Sequence, residues 1–324
     1  MSSRRVYGSL TALMLLIGCG EQQHQGGPTP TSHEVSMETF EALNRDWRER
    51  RLARLTEPHG WLSLVDLVTL RAGSVISVGS APGNDVRVSS GPDQWGTLQT
   101  DTDGLRVTFD VAAAAVGEVR IDKESVDSAN MALGGERDPT HVEADGIRLH
   151  LVAPGGRLAL RVRDPAAPSR TEFAGLDYYP LDPDWRVNAE FIPHAAGSTI
   201  QVANVMGQVI EEPNPGKVRF SHEGQAVSLE AVLEDEKLFF IFADRSSGRE
   251  TYGLGRFLYA ELPHDGRVVL DFNQAYNPPC AFNAFTTCPL PPQSNRINAW
   301  IRAGEMRYVG EAGIETPRAV PPEQ

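Results

Sequence analysis

Residues 218–242 read VRFSHEGQAVSLEAVLEDEKLFFIF. Apolar side chains recur at every second position: Val218 and Phe220, then Val227, Leu229, Ala231 and Leu233, then Leu238, Phe240 and Phe242. Successive side chains of an extended strand point to opposite faces, so this period is that of strands with one buried face. Glu223-Gly224 separates the first two runs and supplies a turn. Similar alternation appears upstream at Val187-Ala189-Phe191 and Ile200-Val202, with a turn at Asn214-Pro215-Gly216.

The pattern extends back to Gly73. Val75-Ile76-Val78, Val86-Val88, Leu105-Val107-Phe109-Val111 and Val119-Ile121 read as strands between turn formers such as Pro82-Gly83-Asn84-Asp85 and Asp103-Gly104. Ile147-Leu149-Leu151 and Leu158-Leu160-Val162 form a hairpin whose return strand carries Arg157, Arg161 and Arg163 on its other face. Such an arginine ladder either binds a carboxylate or phosphate ligand or pairs with acids on a solvated face. Short strands with turns at short intervals predict a mainly β protein built as a two-lobed antiparallel sandwich or partly closed barrel. One helix precedes them. Ser36 is a good N-cap, and Met37, Phe40, Leu43, Trp47 and Leu55 define the apolar side, with Glu41, Asn44, Arg48, Glu49 and Arg51 filling much of the other face, expected to meet solvent. The segments are residues 1–18 (export signal), 19–35 (disordered tether), 36–163 (helix plus first β lobe), 164–183 (irregular connection), 184–310 (second β lobe) and 311–324 (tail).

The 40% apolar and 23% charged content is that of an ordinary globular protein, and the formal net charge of −13 repels nucleic acid. No nucleic-acid partner is expected. Arg4 and Arg5 precede an apolar run from Leu10 to Ile17, too short to span a bilayer, which reads as an export signal. Its end, Leu16-Ile17-Gly18-Cys19, resembles the lipobox of bacterial lipoproteins. That resemblance implies cleavage before Cys19, lipidation of its thiol and membrane anchoring. With Gly20 next, it implies the outer membrane or periplasmic face of a two-membraned cell. His24 and His33 in the tether read as solvated residues.

Residues 271–305 read DFNQAYNPPCAFNAFTTCPLPPQSNRINAWIRAGE, with five prolines between 278 and 292. Proline fixes φ and donates no hydrogen bond, so this is a rigid extended loop. Asn277-Pro278 and Cys288-Pro289 are candidate cis bonds. Cys280 and Cys288 are the cysteines left once Cys19 is lipidated; an exported pair is read as a disulfide, with free thiols or metal or redox work as alternatives.

The motifs Asp271-Phe272-Asn273, AYNPPCAF from Ala275, CPLPP from Cys288, Asn295-Arg296 and Ala303-Gly304-Glu305 resemble the bacterial domain-of-unknown-function family 1684. Gly60-Trp61-Leu62, the 73–88 segment, Thr251-Tyr252 and Gly255-Arg256-Phe257 also fit, which extends the likeness over nearly all of the mature chain. The family name carries no activity. The 73–88 segment also resembles the opening hairpin of a forkhead-associated domain, but Ser80 replaces that family's phosphate-binding arginine, so phosphopeptide binding is not expected.

A rigid loop presenting aromatic faces with amide and guanidinium donors suits a sugar or carboxylate. The candidate ligand-binding residues are Arg256, Asp271, Asn273, Tyr276, Asn283 and Arg296. Three functions remain open: a non-catalytic envelope binding protein, a carboxylate-dependent hydrolase using Asp271 with Glu305 or Glu250, and a structural or interaction module. No nucleophile elbow, zinc motif, Walker loop or dinucleotide fingerprint occurs, so no metal or cofactor is expected.

Overall fold

The computed structural model describes residues 35–134 and 138–310. The segments read as an export signal (1–18) and a tail (311–324), together with Cys19 and all of the expected tether but Val35, lie outside the described residues. The chain is mainly β, with several antiparallel sheets, none of them closed into a barrel.

The first lobe is a sandwich of two five-stranded sheets. One runs in the order Leu64–Thr69, Ala159–Arg163, Ile147–Val152, Val142–Ala144 and Arg120–Ile121; the other runs Val86–Arg87, Val75–Gly79, Gly96–Thr100, Val107–Val111 and Ser128–Asn130. Their inner faces bury Val78, Trp95, Leu98, Phe109, Leu149, Leu160 and Val162. Each buried side chain of this size contributes about 1.5–3 kcal/mol. The expected hairpin holds its register, with Leu160 opposite Leu151 and Arg161 opposite His150.

The 73–88 segment departs from the hairpin expectation. Val75–Gly79 pairs with Val86–Arg87 in parallel, Val78 opposite Val86. Polar side chains hold the connection between them. Asp85 accepts from the Ser77 amide and hydroxyl, each at 2.8 Å, and Asn84 donates to the Ala81 and Asp93 carbonyls.

In the second lobe a four-stranded sheet, in the order Gln225–Glu230, Gly216–His222, Arg186–Pro193 and Arg267–Asp271, meets a three-stranded one of Val232–Glu234, Lys237–Phe242 and Arg256–Ala260. Val218, Leu229, Leu238, Phe240, Leu258, Leu270 and Phe272 fill the space between them. A separate hairpin, Thr199–Ala203 with Val209–Pro213, stands beside them.

The helix Met37–Leu55 starts where expected, and the Ser36 hydroxyl accepts from the Thr39 amide at 3.2 Å. Its buried face matches the sequence reading only in part. Phe40, Asn44, Arg51 and Leu55 are buried, while Met37, Leu43 and Leu52 are exposed. Its polar contacts go to the 164–183 connection and the second lobe, although sequence order groups it with the first. Beyond it, among the described residues, the other α-helix is the four-residue Pro168–Thr171, and no helix is long and apolar enough to cross a membrane.

Candidate functional site

The site is assembled where the strand Arg267–Asp271 ends. Asp271 caps the next turn, its Oδ1 accepting from the Asn273 amide at 3.1 Å and from Asn273 Nδ2 at 2.9 Å. Asn273 then clamps the passing chain: Nδ2 donates to the Asp182 carbonyl at 2.8 Å, and Oδ1 accepts from the Asp182 amide at 3.0 Å. Farther on, Gly304 adopts φ +83° and packs against the carbonyls of Phe272 and Ala275, an approach that a Cβ would block. This close passage delivers Glu305 into the interior.

There Glu305 meets the helix. Arg51 Nε donates to Glu305 Oε1 at 2.8 Å, and Arg51 Nη2 donates to the Asn277 carbonyl at 2.9 Å. Glu305 Oε2 also accepts from the Asn277 amide at 2.8 Å. Burial pushes the Arg51 guanidinium down, but the Glu305 carboxylate more than offsets it and leaves Arg51 raised. One turn earlier, Arg48 lies 4.1 Å over the Tyr178 ring, and Asn44 Nδ2 donates to Asp271 Oδ2 at 3.2 Å. Tyr276 stacks its ring 4.6 Å from the Arg51 guanidinium. Asn44, Arg48 and Arg51, which polarity assigned to solvent, thus join Phe40 and Leu55 on the docking face.

The remaining candidates fall into separate environments. Arg256 is fully enclosed, donating to the Ile301 carbonyl at 2.8 Å and facing Asp244 Oδ1 at 3.4 Å, so it holds the 301–305 segment in place. Asn283 is buried and donates to the Leu64 carbonyl at 2.6 Å, joining the loop to the first lobe. Arg296 is exposed and makes no side-chain hydrogen bond or ion pair among the described residues. Asp271 and Tyr276 share the helix interface, whereas Arg256, Asn283 and Arg296 do not join them there. Glu250 lies elsewhere, bound to Arg302 at 2.8 Å and to the Tyr179 hydroxyl at 2.7 Å. Those hydrogen bonds, Arg302 first, hold its carboxyl down at about 2. Each of the three acids considered for hydrolysis is therefore engaged by a different partner.

The proline–cysteine loop is ordered as expected. Cys280 and Cys288 sit at disulfide distance with Cα atoms 6.1 Å apart, within the range a bridge requires. Both candidate cis bonds are trans. Cys288 packs on Val202, Val232, Phe239, Ile241 and Phe257, with Cys280 and Tyr276 at the edge.

Val202, Val232, Phe239 and Ile241 of that cluster line a cleft of about 380 Å³ beside the loop as its floor. Thr287 and Pro289 form one wall, Ile210 and Glu212 of the separate hairpin another, Leu233 and Glu234 a third, and the Ala153–Gly155 turn of the first lobe closes one end. Burial, then the Glu234 carboxylate, pushes Glu212 up, which marks the two acids as neighbours. Glu234 accepts from the Tyr259 hydroxyl, and the Tyr259 ring stacks on Phe239 with centroids 4.6 Å apart. None of the six candidate ligand-binding residues lines this cleft. Among the described residues no group of three or more His, Cys, Asp or Glu is arranged to hold a metal ion. Sequence reasoning missed Glu212 and Glu234 because isolated acids in strands look like ordinary solvated positions. It missed Arg51 too, although Phe40, Asn44, Arg51 and Leu55 share one helical stripe.

Residues 171–306 match the family described as "Protein of unknown function (DUF1684)". A solved relative, an uncharacterized protein of Haloarcula marismortui determined by solution NMR, is 32% identical; the match covers 42% of this chain and 78% of that one, with a TM-score of 0.36. This chain belongs to the DUF1684 family. The DUF1684 match spans the clamp at Asp182, the proline–cysteine loop and Glu305, and it leaves out the helix and the first sandwich. The likeness read over nearly all of the mature chain is thus found over its second lobe. No curated protein matches the chain.

Proposed function

We propose that this DUF1684 protein is an exported, lipid-anchored envelope protein that binds a small polar ligand without transforming it, in the cleft beside the proline–cysteine loop. Anchoring rests on the lipobox-like Leu16-Ile17-Gly18-Cys19 after a short apolar run. The bacterial origin and the two-membraned cell implied by that motif belong to the same proposal.

The observation that carries the binding role is the cleft itself: an apolar floor with Glu212, Glu234, Asn204 and Thr287 as polar wall groups. Ligand sites are concave and mostly apolar, with few convergent polar groups. Two neighbouring carboxylates repel a carboxylate ligand and accept from hydroxyl groups, so a sugar suits the cleft and a carboxylate does not. Catalysis finds less support, because Asp271, Glu305 and Glu250 lie outside the cleft.

The test is a glycan and metabolite binding screen on chain beginning at residue 36, with Glu212→Gln and Arg296→Ala as variants. A neutral sugar that binds the parent and Arg296→Ala, but binds Glu212→Gln weakly, supports the reading. Sugar binding that Glu212→Gln leaves untouched refutes this location. Anchoring is tested by labelling cells with an alkynyl fatty acid, where Cys19→Ala must abolish incorporation.

A further inference from the structure

Of the three ladder arginines, Arg157 is exposed, Arg163 is half-buried and Arg161 is buried. Arg161 and His150 stand opposite each other in the register of Ala159–Arg163 with Ile147–Val152, and Arg163 stands opposite Arg148. All four side chains lie on the face turned away from the sandwich core. Arg161 is only 9% exposed and His150 only 7%. Trp61 lies against the pair, 5.4 Å from the Arg161 guanidinium and 5.6 Å from that of Arg163.

Among the described residues Arg148 pairs with Glu143, whereas Arg161 and Arg163 have no acid partner. Arg163 donates only to the carbonyls of His59 and Gly60. Arg161 makes no side-chain hydrogen bond or ion pair, and Arg161 Nε and His150 Nδ1 are buried without partners. Burial alone pushes Arg161 down. Burial, then Arg161 and Arg148, brings Arg163 to about 10. His150 falls to about 3 through burial and then Arg163, Arg161, His141 and Arg148, so every ionisable group that perturbs it is a base. A buried, uncompensated charge is strongly unfavourable, and a buried charge in a folded protein ordinarily has a partner.

We propose that Arg161, Arg163 and His150, backed by Trp61, form a binding site for a small tetrahedral oxyanion, phosphate or the phosphate group of a small monoester. Guanidinium groups bind phosphate through paired N–H donors with fixed geometry. The unpartnered Nε of Arg161 supplies such a donor, and Arg163 supplies a second cation. The neutral His150 ring offers Nδ1–H in the tautomer that places its proton there. The indole of Trp61 lies beside both guanidinium groups. Because Arg161 and His150 are recessed, the site takes a diffusible group in preference to one fixed in a bilayer. It is distinct from the cleft beside the proline–cysteine loop, which carries acids.

The test titrates the full chain with inorganic phosphate at constant ionic strength, following the melting temperature and the ¹⁵N-edited signals of the arginine Nε–H groups. Phosphate is expected to raise the melting temperature saturably and to shift the Arg161 signal, with chloride doing neither and acetate binding about tenfold more weakly. Arg161→Met removes an uncompensated charge, so without phosphate it melts no lower than the parent, and its phosphate response is lost. If that variant does not fold, Arg161→Gln supplies the same comparison, and the Arg161 Nε–H shift in the parent stands alone as a readout. Vesicles of phosphatidylcholine with phosphatidic acid identify the source of the phosphate. Sedimentation with vesicles that Arg161→Met abolishes keeps the site but makes a lipid headgroup its ligand. No saturable response beyond chloride in the parent, or an undiminished response in Arg161→Met, overturns the proposal.

Discussion

Arg51 and Glu305 are 254 residues apart in sequence and 2.8 Å apart in space, in the interior between the N-terminal helix and the end of the second lobe. The pair is bidentate in outline, with Arg51 Nη2 also 3.5 Å from Glu305 Oε2. Its remaining valences are taken by the carbonyl and amide of Asn277. One ion pair therefore ties the helix, the start of the proline-rich loop and the C-terminal segment together.

Breaking this pair from one side strands a buried charge. Arg51→Met or Glu305→Gln is expected to cost about 3–5 kcal/mol, whereas an apolar replacement of both partners costs much less, because no orphaned charge remains. Urea unfolding of the two single variants and the double variant measures the coupling. Additive losses would show that the two side chains do not act as a unit.

A second expectation concerns the loop. Bridging Cys280 and Cys288, eight residues apart, closes a short ring whose chain entropy corresponds to about 2–3 kcal/mol. Intact mass of the non-reduced protein after alkylation should show no alkyl group on either Cys280 or Cys288. Cys280→Ser should destabilise by that order and loosen the floor of the adjacent cleft, since Cys288 packs on Phe239 and Ile241. Two alkylatable thiols in the native protein would remove the bridge from the account.

What the sequence revealed follows from what periodicity can register. Alternation located Val107–Val111, Ile147–Val152 and Lys237–Phe242, because each carries large apolar residues on its core face. It passed over Gly96–Thr100, where Leu98 alone is large and apolar, and Val209–Pro213, where Glu211 and Glu212 interrupt the pattern. The helix was located correctly, and Phe40 and Leu55 face inward as read, but its buried stripe takes in Asn44 and Arg51 in place of Met37 and Leu43. Asn44 and Arg51 look like solvent residues until their partners, Asp271 and Glu305, come from the far end of the chain. The same limit hid Arg161: a pattern shows which face a side chain takes, not whether another element covers that face.

Glu250 gives a pH-dependent prediction. Its folded carboxyl is held at about 2 by Arg302 and then Tyr179, below its ordinary 4.5. A depressed carboxyl contributes stability that is present above the unfolded value and is lost as pH falls toward the folded one. Glu250→Gln should therefore melt below the parent at pH 7, and the difference should shrink between about pH 4.5 and 2. A difference that stays constant across that window would mean that the side chain acts through packing alone.

His150 should behave in the opposite sense. Burial, reinforced by the surrounding arginines, lowers its folded value to about 3 from 6.5. Below pH 6.5 the unfolded chain takes up a proton that the folded chain refuses, so folding is progressively penalised until about pH 3, where the folded ring also protonates. Replacing the ring with His150→Leu removes that penalty. Relative to the parent, the variant should show a constant stability difference above about pH 7 and then gain on it steadily as the solution is acidified, by up to a few kcal/mol near pH 3. Chemical denaturation at half-unit pH intervals resolves the curve. Parallel curves for parent and variant through pH 6 to 4 would mean that His150 protonates freely in the folded state, and the cationic surroundings described for it would then be wrong.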